Sequence, residues 1–220
     1  MNFTANIISD GWLLTGNLIY AFCLILALIK APWYRLKNSA DANVLFASCI
    51  IIWLFWRASA GVTAGMEYHL LMAATVTLMF GWAFALVAVS VAQLILSLEG
   101  HTAWLGYGLN VLCNGIIPIL VVHFLYRLVY QTLPKNFFIY IFVVAFAGGA
   151  LTMLISRLVG LVILLGSGAY SMPELGDDPW FMIVMLFPEG FLNGMLMTIL
   201  VIYRPEWVSS FDDRVYLHNK

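Results

Sequence analysis

A histidine and a glutamate stand at the start of an apolar run that otherwise carries no charge. Glu67 and His69 precede the stretch LLMAATVTLMFGW. Imidazole is the commonest protein ligand of divalent transition metals, which makes His69 a candidate metal ligand, but one histidine does not make a metal site. Residues two positions apart do not share a helical face, so we interpret Glu67 as a charge at the rim of the site.

Two further pairs of polar residues occur at a spacing of four within apolar stretches. Asn110 and Asn114 form one pair, and Glu189 and Asn193 form the other. On a helix this spacing places both members of a pair on the same face. The asparagines either orient ligands around a solute or form hydrogen bonds between helices, and both interpretations stay open.

Two arginines, Arg57 and Arg157, lie inside apolar stretches as well. Charged groups within a membrane usually face the interior of a helical bundle and pair with one another. We therefore predict that Glu189 pairs with Arg157 or with Arg57. Such a pair is either a structural ion pair or a direct part of a substrate or gating site.

The other candidate ligands are isolated. His123 lies deep in an apolar stretch, and we interpret it as a hydrogen-bonded core residue. Cys23, Cys49 and Cys113 lie in apolar runs without the spacing of a metal site, so they are interpreted as buried thiols.

The composition is that of a polytopic membrane protein. Of 220 residues, 63% are hydrophobic and only 10% are charged, whereas soluble domains have about 25% charged residues. The formal net charge of −1 gives no basic excess for binding nucleic acid. No nucleotide-binding loop, dinucleotide fingerprint, zinc-protease motif or nucleophile elbow occurs, and no nucleophile–base spacing accompanies Glu189 or His69. We expect no enzymatic activity and no covalently bound cofactor, and any work must draw its energy from a partner or a gradient.

Five stretches are long and apolar enough to cross the bilayer, which takes about 20 helical residues. They are Trp12–Ile29, Ala42–Ala60, Gly106–Val129, Phe137–Leu165 and Trp180–Tyr203. The segment from Thr63 to Leu98 is ambiguous. It is either one long tilted helix or two short helices folded at Gly81 and Trp82.

The distribution of charge favours two helices in that segment. With seven spans, eight cations fall on one side: Lys30, Arg35, Lys37, Arg127, Lys135, Arg204, Arg214 and Lys220. The facing loops then carry only acids: Asp10, Glu67, Glu99, Glu174, Asp177 and Asp178. Since cytoplasmic loops are enriched in Lys and Arg, we predict an all-α bundle of seven transmembrane helices with the amino terminus outside and the carboxyl terminus cytoplasmic. Residues 1–203 form the transmembrane domain, and residues 204–220 form a cytoplasmic tail.

The sequence also resembles a known family, the cobalt/nickel uptake permeases that serve as substrate-binding membrane subunits of energy-coupling-factor transporters. The resemblance is carried by HLLMAATVTLMFGWAFALVAVSVAQLILSLEGHTAWLGYGLNVLCNGIIPIL, from His69 to Leu120. This stretch is similar to the family's His-Leu start, Gly-Trp break, Gln before a Gly-His loop, Leu-Gly-x-Asn-x-x-x-Asn and Gly-x-x-Pro. NFFIYIFVVAFAGGAL, FPEGFLNGM and YRPEWVSSFDD look like a proteobacterial branch of that family.

The resemblance implies a metal site built around the amino terminus. In the family, the terminal amine, the second residue and a histidine of helix 3 bind the metal together. Carried over by position, these ligands are Met1, Asn2 and His69, with Asn2 in place of the usual histidine. An amide oxygen is a poorer donor for nickel or cobalt than an imidazole.

The resemblance implies the following function. The protein captures a divalent transition metal, nickel or cobalt, at the outer side of the bacterial inner membrane. Cytoplasmic ATPases drive transport through a separate transmembrane coupling subunit, and membrane lipid surrounds the bundle. Asn110, Asn114, Glu189, Asn193, Arg157 and Arg57 form the supporting polar cluster. The alternative, favoured by Asn2, is a non-transporting structural or assembly subunit that kept the fold and lost the metal site.

Overall fold

The computed structural model describes residues 1–4, 6–61 and 63–216, so Lys220 lies outside the described residues. Within these ranges the regular elements are helical. The extended pairing is limited to one antiparallel bridge between Ala60 and Tyr68. The all-α prediction is confirmed.

Seven main helices follow one another along the described chain: α1 Asp10–Lys30, α2 Ser39–Arg57, α3 Ala73–Phe80, α4 Trp82–Leu98, α5 Trp104–Thr132, α6 Phe137–Gly166 and α7 Asp178–Tyr203. Short helical turns occur at Trp33–Lys37, Met172–Leu175, Pro205–Trp207 and Asp213–Tyr216. Helices α1, α2, α5, α6 and α7 are long and apolar enough to cross a membrane. The five predicted spans are confirmed, and their bounds lie within three residues of these helices. The chain is a multi-pass membrane protein.

The ambiguous segment is broken at Gly81. This glycine has φ 83° and ψ 167°, a backbone conformation that side chains disfavour, and α4 then packs back against α3. Helix α3 is only eight residues long. The placement of Glu67 and His69 on a helix is wrong, because the chain from Gly65 to Met72 is extended or irregular.

The chain from Gly65 to Met72 is not helical because its backbone amides have hydrogen-bond acceptors elsewhere in the fold. Tyr68 exchanges two hydrogen bonds with Ala60, of 2.7 and 2.9 Å. Leu71 and Met72 donate to the Glu189 carboxylate instead of to a preceding turn. Since each backbone N–H can be satisfied outside a helix, the tertiary contacts override the helical pattern.

The two ends of the 63–98 segment lie at the same end of the bundle as Met1. The Asn2 Nδ2 atom reaches both the Glu67 carboxylate, at 3.3 Å, and the carbonyl oxygen of His101, at 3.1 Å. We call this end the amino-terminal face. The turn between α3 and α4 lies at the other end, the carboxyl-terminal face, where the backbone amides of Ser209 and Ser210 donate to the last carbonyls of α3, Met79 at 2.9 Å and Leu78 at 3.2 Å.

Candidate metal site

The amino-terminal segment is inserted into the bundle at the amino-terminal face. Met1 and Phe3 are buried, with 3% and 0% of their surface exposed. Phe3 donates its backbone N–H to Asn110 Oδ1 at 2.7 Å, and Asn114 Nδ2 donates to the Met1 carbonyl at 2.9 Å. Both predicted asparagines therefore bind the backbone of this segment. Asn114 lies in a π-helical turn of α5, Leu112–Ile116, a feature that often marks a functional site.

The amine of Met1 is held by two acceptors. It donates to the Glu67 carbonyl oxygen at 2.8 Å and to Asn114 Oδ1 at 3.3 Å. Burial lowers the pKa of this amine well below its ordinary value of 8.0, the positive charge of Arg157 lowers this pKa further, and Glu67 opposes the shift. The shift is toward the neutral amine, and only the neutral form has a lone pair.

Arg157 ties the inserted segment to the chain around His69. It is 1% exposed, and its guanidinium donates to Asn114 Oδ1 at 3.2 Å and to the His69 carbonyl at 3.4 Å. The same group lies over the ring of Tyr68, 5.7 Å from its centroid. Among the described residues Arg157 has no carboxylate within ion-pair distance.

The predicted ion pair of Glu189 with an arginine is wrong. The Glu189 carboxylate accepts from the backbone amides of Leu71, at 2.7 Å, and Met72, at 3.0 Å, immediately before α3. Asn193 Nδ2 donates to the same carboxylate at 2.9 Å, while Asn193 Oδ1 accepts from the Thr75 amide at 2.9 Å. Both amides precede α3 and have no acceptor in a helix or a sheet, and three N–H groups around one carboxylate stabilise its buried charge without an arginine.

Arg57 lies outside the polar cluster. It forms an ion pair with Glu99, with 3.7 Å between Nε and Oε2, and 47% of its side chain is exposed. Its position at the end of α2, facing solvent, accounts for this pairing. The prediction that Arg57 supports the buried site is wrong in this respect.

His69 is nearly buried but borders open space. It is 5% exposed, its Nδ1 lies 3.3 Å from the Leu70 carbonyl, and its ring lies 5.3 Å from that of Trp56. A hydrogen bond from Nδ1–H to that carbonyl leaves Nε2 with a lone pair. The histidine lines a cavity of about 570 Å³ between α2 and α7, together with Phe55 and Phe181.

Asn2 carries a free acceptor. Its Nδ2 donates to Glu67 and to the His101 carbonyl, which fixes the orientation of the amide. Its Oδ1 is buried and has no hydrogen-bond partner. A buried polar atom without a partner costs free energy, so an oxygen left in this state is suited to a ligand that supplies the missing interaction.

The donors near the amino terminus are not those of an ordinary metal site. In residues 1–4, 6–61 and 63–216, no group of three or more His, Cys, Asp or Glu side chains is arranged to hold a metal ion. A metal at this position would need the Met1 amine, the Asn2 oxygen and the His69 imidazole, which are the three predicted ligands. Glu67, interpreted from the sequence as a rim charge, holds both Met1 and Asn2.

Sequence reasoning missed two glycines that make room for the inserted segment. A Cβ atom on Gly106 would overlap the carbonyl oxygen of Phe3, and one on Gly160 would overlap the Met1 side chain. The signal was present as glycine within apolar helices, but nothing local identified the partner.

A Gly106→Ala substitution should therefore displace the amino-terminal segment. We expect a loss of about 1–3 kcal/mol in the free energy of unfolding, the usual cost of overpacking. Gly11→Ala is the matched control, because a Cβ at Gly11 meets nothing within 4 Å. Unfolding in mild detergent measures the first effect, and acylation of the Met1 amine, read by peptide mass spectrometry, measures the displacement. Equal behaviour of the two variants would contradict the insertion.

Known proteins share this fold. A structure described as a truncated transition metal transporter is similar with a TM-score of 0.74 and 17% identity, covering 94% of this chain and 99% of the other. A second, described as a transition metal transporter, gives a TM-score of 0.72 and 15% identity, with coverage of 94% and 93%. No curated protein sequence matches the chain. The family model of the cobalt uptake substrate-specific transmembrane region (CbiM) matches residues 2–207, nearly the whole length, and the chain therefore belongs to this family.

Proposed function

We propose that this protein is the substrate-capturing membrane component of an energy-coupling-factor type transporter for a divalent transition metal, nickel or cobalt. Membership of the cobalt uptake family and the fold shared with transition metal transporters support the class of substrate. The observation that carries the proposal is the buried amine of Met1, which is hydrogen-bonded to Glu67, two residues before His69. The next residue, Asn2, adds a buried side-chain oxygen that has no hydrogen-bond partner.

The hydrogen bonds of the amine are compatible with binding a metal. A neutral amine has two N–H groups and one lone pair. The two acceptors, Glu67 and Asn114, account for both N–H groups and leave the lone pair for the metal. With His69 Nε2 this makes two nitrogen donors, which suit nickel and cobalt, and Asn2 adds an oxygen.

We further propose seven crossings, with the amino-terminal face outside and residues 204–220 as the cytoplasmic tail of a 1–203 transmembrane domain. The return of the 63–98 segment to the amino-terminal face supports an odd number of crossings. Lys30, Arg35 and Lys135 lie at the other end of the bundle, as the positive-inside bias requires for a bacterial inner membrane. Metal then enters from outside.

The chain has no nucleotide-binding motif, so its energy would come from cytoplasmic ATPases acting through a transmembrane coupling subunit. Copurification from native membranes tests this part of the proposal. Recovery of an ATPase and a coupling subunit is the expected result. A stable complex with unrelated proteins would instead support an assembly subunit.

Calorimetric titration of the purified protein with nickel and cobalt tests the site directly. We expect saturable binding that His69→Ala abolishes. His101→Ala is the matched control, since this exposed histidine lies at the same face and only its backbone carbonyl contacts Asn2. Flat titrations with both metals, or equal losses in the two variants, would overturn the proposal.

Binding should also depend on pH in a predictable direction. A proton competes with the metal for the lone pair of the Met1 amine, so affinity falls as the pH falls. Because burial lowers the pKa of this amine, the loss should begin below pH 8.0, the ordinary value. Titrations between pH 6 and 9 at constant ionic strength measure this dependence. At the lower end of this pH range, roughly one proton should be released for each metal ion bound. An affinity that still rises steeply above pH 8.0 would contradict the shift.

A further inference from the structure

A second cavity lies between α1 and α5, near the carboxyl-terminal face. The two helices touch closely toward the amino-terminal face, where the Gly108 amide donates to Asn17 Oδ1 at 2.8 Å and Gly16 lies against Leu109. From Ile117 onward α5 makes few or no close approaches to α1. The divergence leaves a cavity of about 290 Å³, which we call the α1/α5 wedge.

The walls of the wedge are apolar and come from three helices. They are Cys23 and Leu26 of α1, Trp82 and Leu86 of α4, and Ile116, Ile119, Leu120 and Phe124 of α5. Leu26 and Leu120 are about 40% exposed, so the wedge is open along its side. A hydrocarbon chain would be compatible with such walls.

Two basic side chains line the same cavity. His123 and Arg127 are four residues apart on α5 and share a face. The hydrogen-bonded core role predicted for His123 is not found, since its ring contacts Phe124 and it has no hydrogen bond within the described part of the chain. Neither His123 nor Arg127 has a carboxylate partner there, whereas Arg35 and Arg204 at this end are paired with acids.

The depth of these groups fits a lipid headgroup. Helix α5 has 29 residues, so its length of about 44 Å matches a bilayer including its headgroups. Arg127 lies five residues before Thr132, or about 7.5 Å from the end, at the boundary between headgroups and hydrocarbon. His123 lies one turn, about 6 Å, deeper than Arg127, so its imidazole approaches the glycerol esters from the hydrocarbon side.

We propose that the α1/α5 wedge binds an anionic phospholipid. The Arg127 guanidinium binds the phosphate through charge-assisted hydrogen bonds, and His123, one turn deeper, donates to an ester oxygen of the same lipid. One acyl chain lies in the wedge against Leu26 and Trp82. A zwitterionic headgroup is disfavoured, because its own cation would compete with Arg127 for the phosphate.

Native mass spectrometry of the full chain in detergent tests the site. The probes are phosphatidylglycerol and phosphatidylcholine with identical acyl chains. We expect phosphatidylglycerol to bind in preference, and Arg127→Gln to weaken its binding roughly tenfold, as for the loss of a hydrogen bond to a charged group. Arg204→Gln is the matched control, with the same change in charge at the same end and an existing partner in Glu206.

A second readout uses the cysteine in the wedge. Cys23 is half-buried, while Cys49 and Cys113 are buried, so a membrane-permeant maleimide should label Cys23 first. Phosphatidylglycerol should slow this labelling in the parent chain and not in Arg127→Gln. Elution of the variant as a monodisperse peak in size-exclusion chromatography is the control for its folding. Equal binding of the two lipids, unchanged binding in Arg127→Gln, or displacement by millimolar inorganic phosphate would overturn the proposal. Metal titration is independent of these outcomes, so the two proposals fail separately.

Discussion

Adding one glycine before Met1 is expected to weaken nickel and cobalt binding by at least about 100-fold, more than the loss of an outer-shell partner of a metal. The extension converts the Met1 amine into an amide, which has one N–H and no basic lone pair. It also places a residue where Met1 is 3% exposed and packed on Gly160, so the segment has no room to retain its position.

Calorimetric titration of the extended and parent chains measures this effect. One glycine added after Lys220 is the control for a change in length. Asn2→Ala is a second test, since it removes the unpartnered oxygen and keeps the amine. We expect it to lower the metal affinity less, by about tenfold. Unaltered affinity in a folded protein with the extra glycine before Met1 would exclude the amine as a ligand.

The second large effect is expected at Glu189. Replacement by Ala leaves the amides of Leu71 and Met72 buried without acceptors. At about 1–3 kcal/mol for each, the free energy of unfolding should fall by about 2–6 kcal/mol. Metal affinity should fall with it, because the chain that carries His69 is anchored to α7 through these two hydrogen bonds.

Denaturation in mild detergent compares Glu189→Ala with Glu206→Ala, which removes a carboxylate that is 57% exposed. The Glu206 variant should change stability by less than about 1 kcal/mol. Glu189→Gln should fall between the two, since its amide oxygen accepts one hydrogen bond and its NH₂ group faces the other donor. Equal losses for Glu189→Ala and Glu206→Ala would show that the carboxylate does not hold α3.

The long helices and the class of protein could be predicted from the sequence because both depend on local composition. A run of about 20 apolar residues must be helical in a bilayer, where every backbone group needs an internal partner. The spacing of Asn110 and Asn114 likewise determined that they share a face. None of these conclusions required knowledge of what packs against what.

The partners of the buried polar groups could not be predicted in this way. Glu189 was assigned to an arginine, yet it binds backbone amides 117 and 118 residues away. Arg157 instead binds Asn114 and the His69 carbonyl. The sequence indicates that a buried charge needs a partner. Backbone amides cannot be identified as that partner until the chain around them is known to be non-helical, because the amides of a helix are already hydrogen-bonded.

The all-helical membrane class, the five long spans and the candidate imidazole could be predicted from the chain alone, since apolar length and residue type are local properties. Three other features became visible only once the helices were packed: residues 65–72 are not helical, Met1 is buried between Glu67 and Asn114, and Arg57 faces outward. Each of these features depends on hydrogen bonds or ion pairs between residues that are far apart in the chain. The local sequence does not distinguish the possible partners, because their free energies differ only after the helices pack.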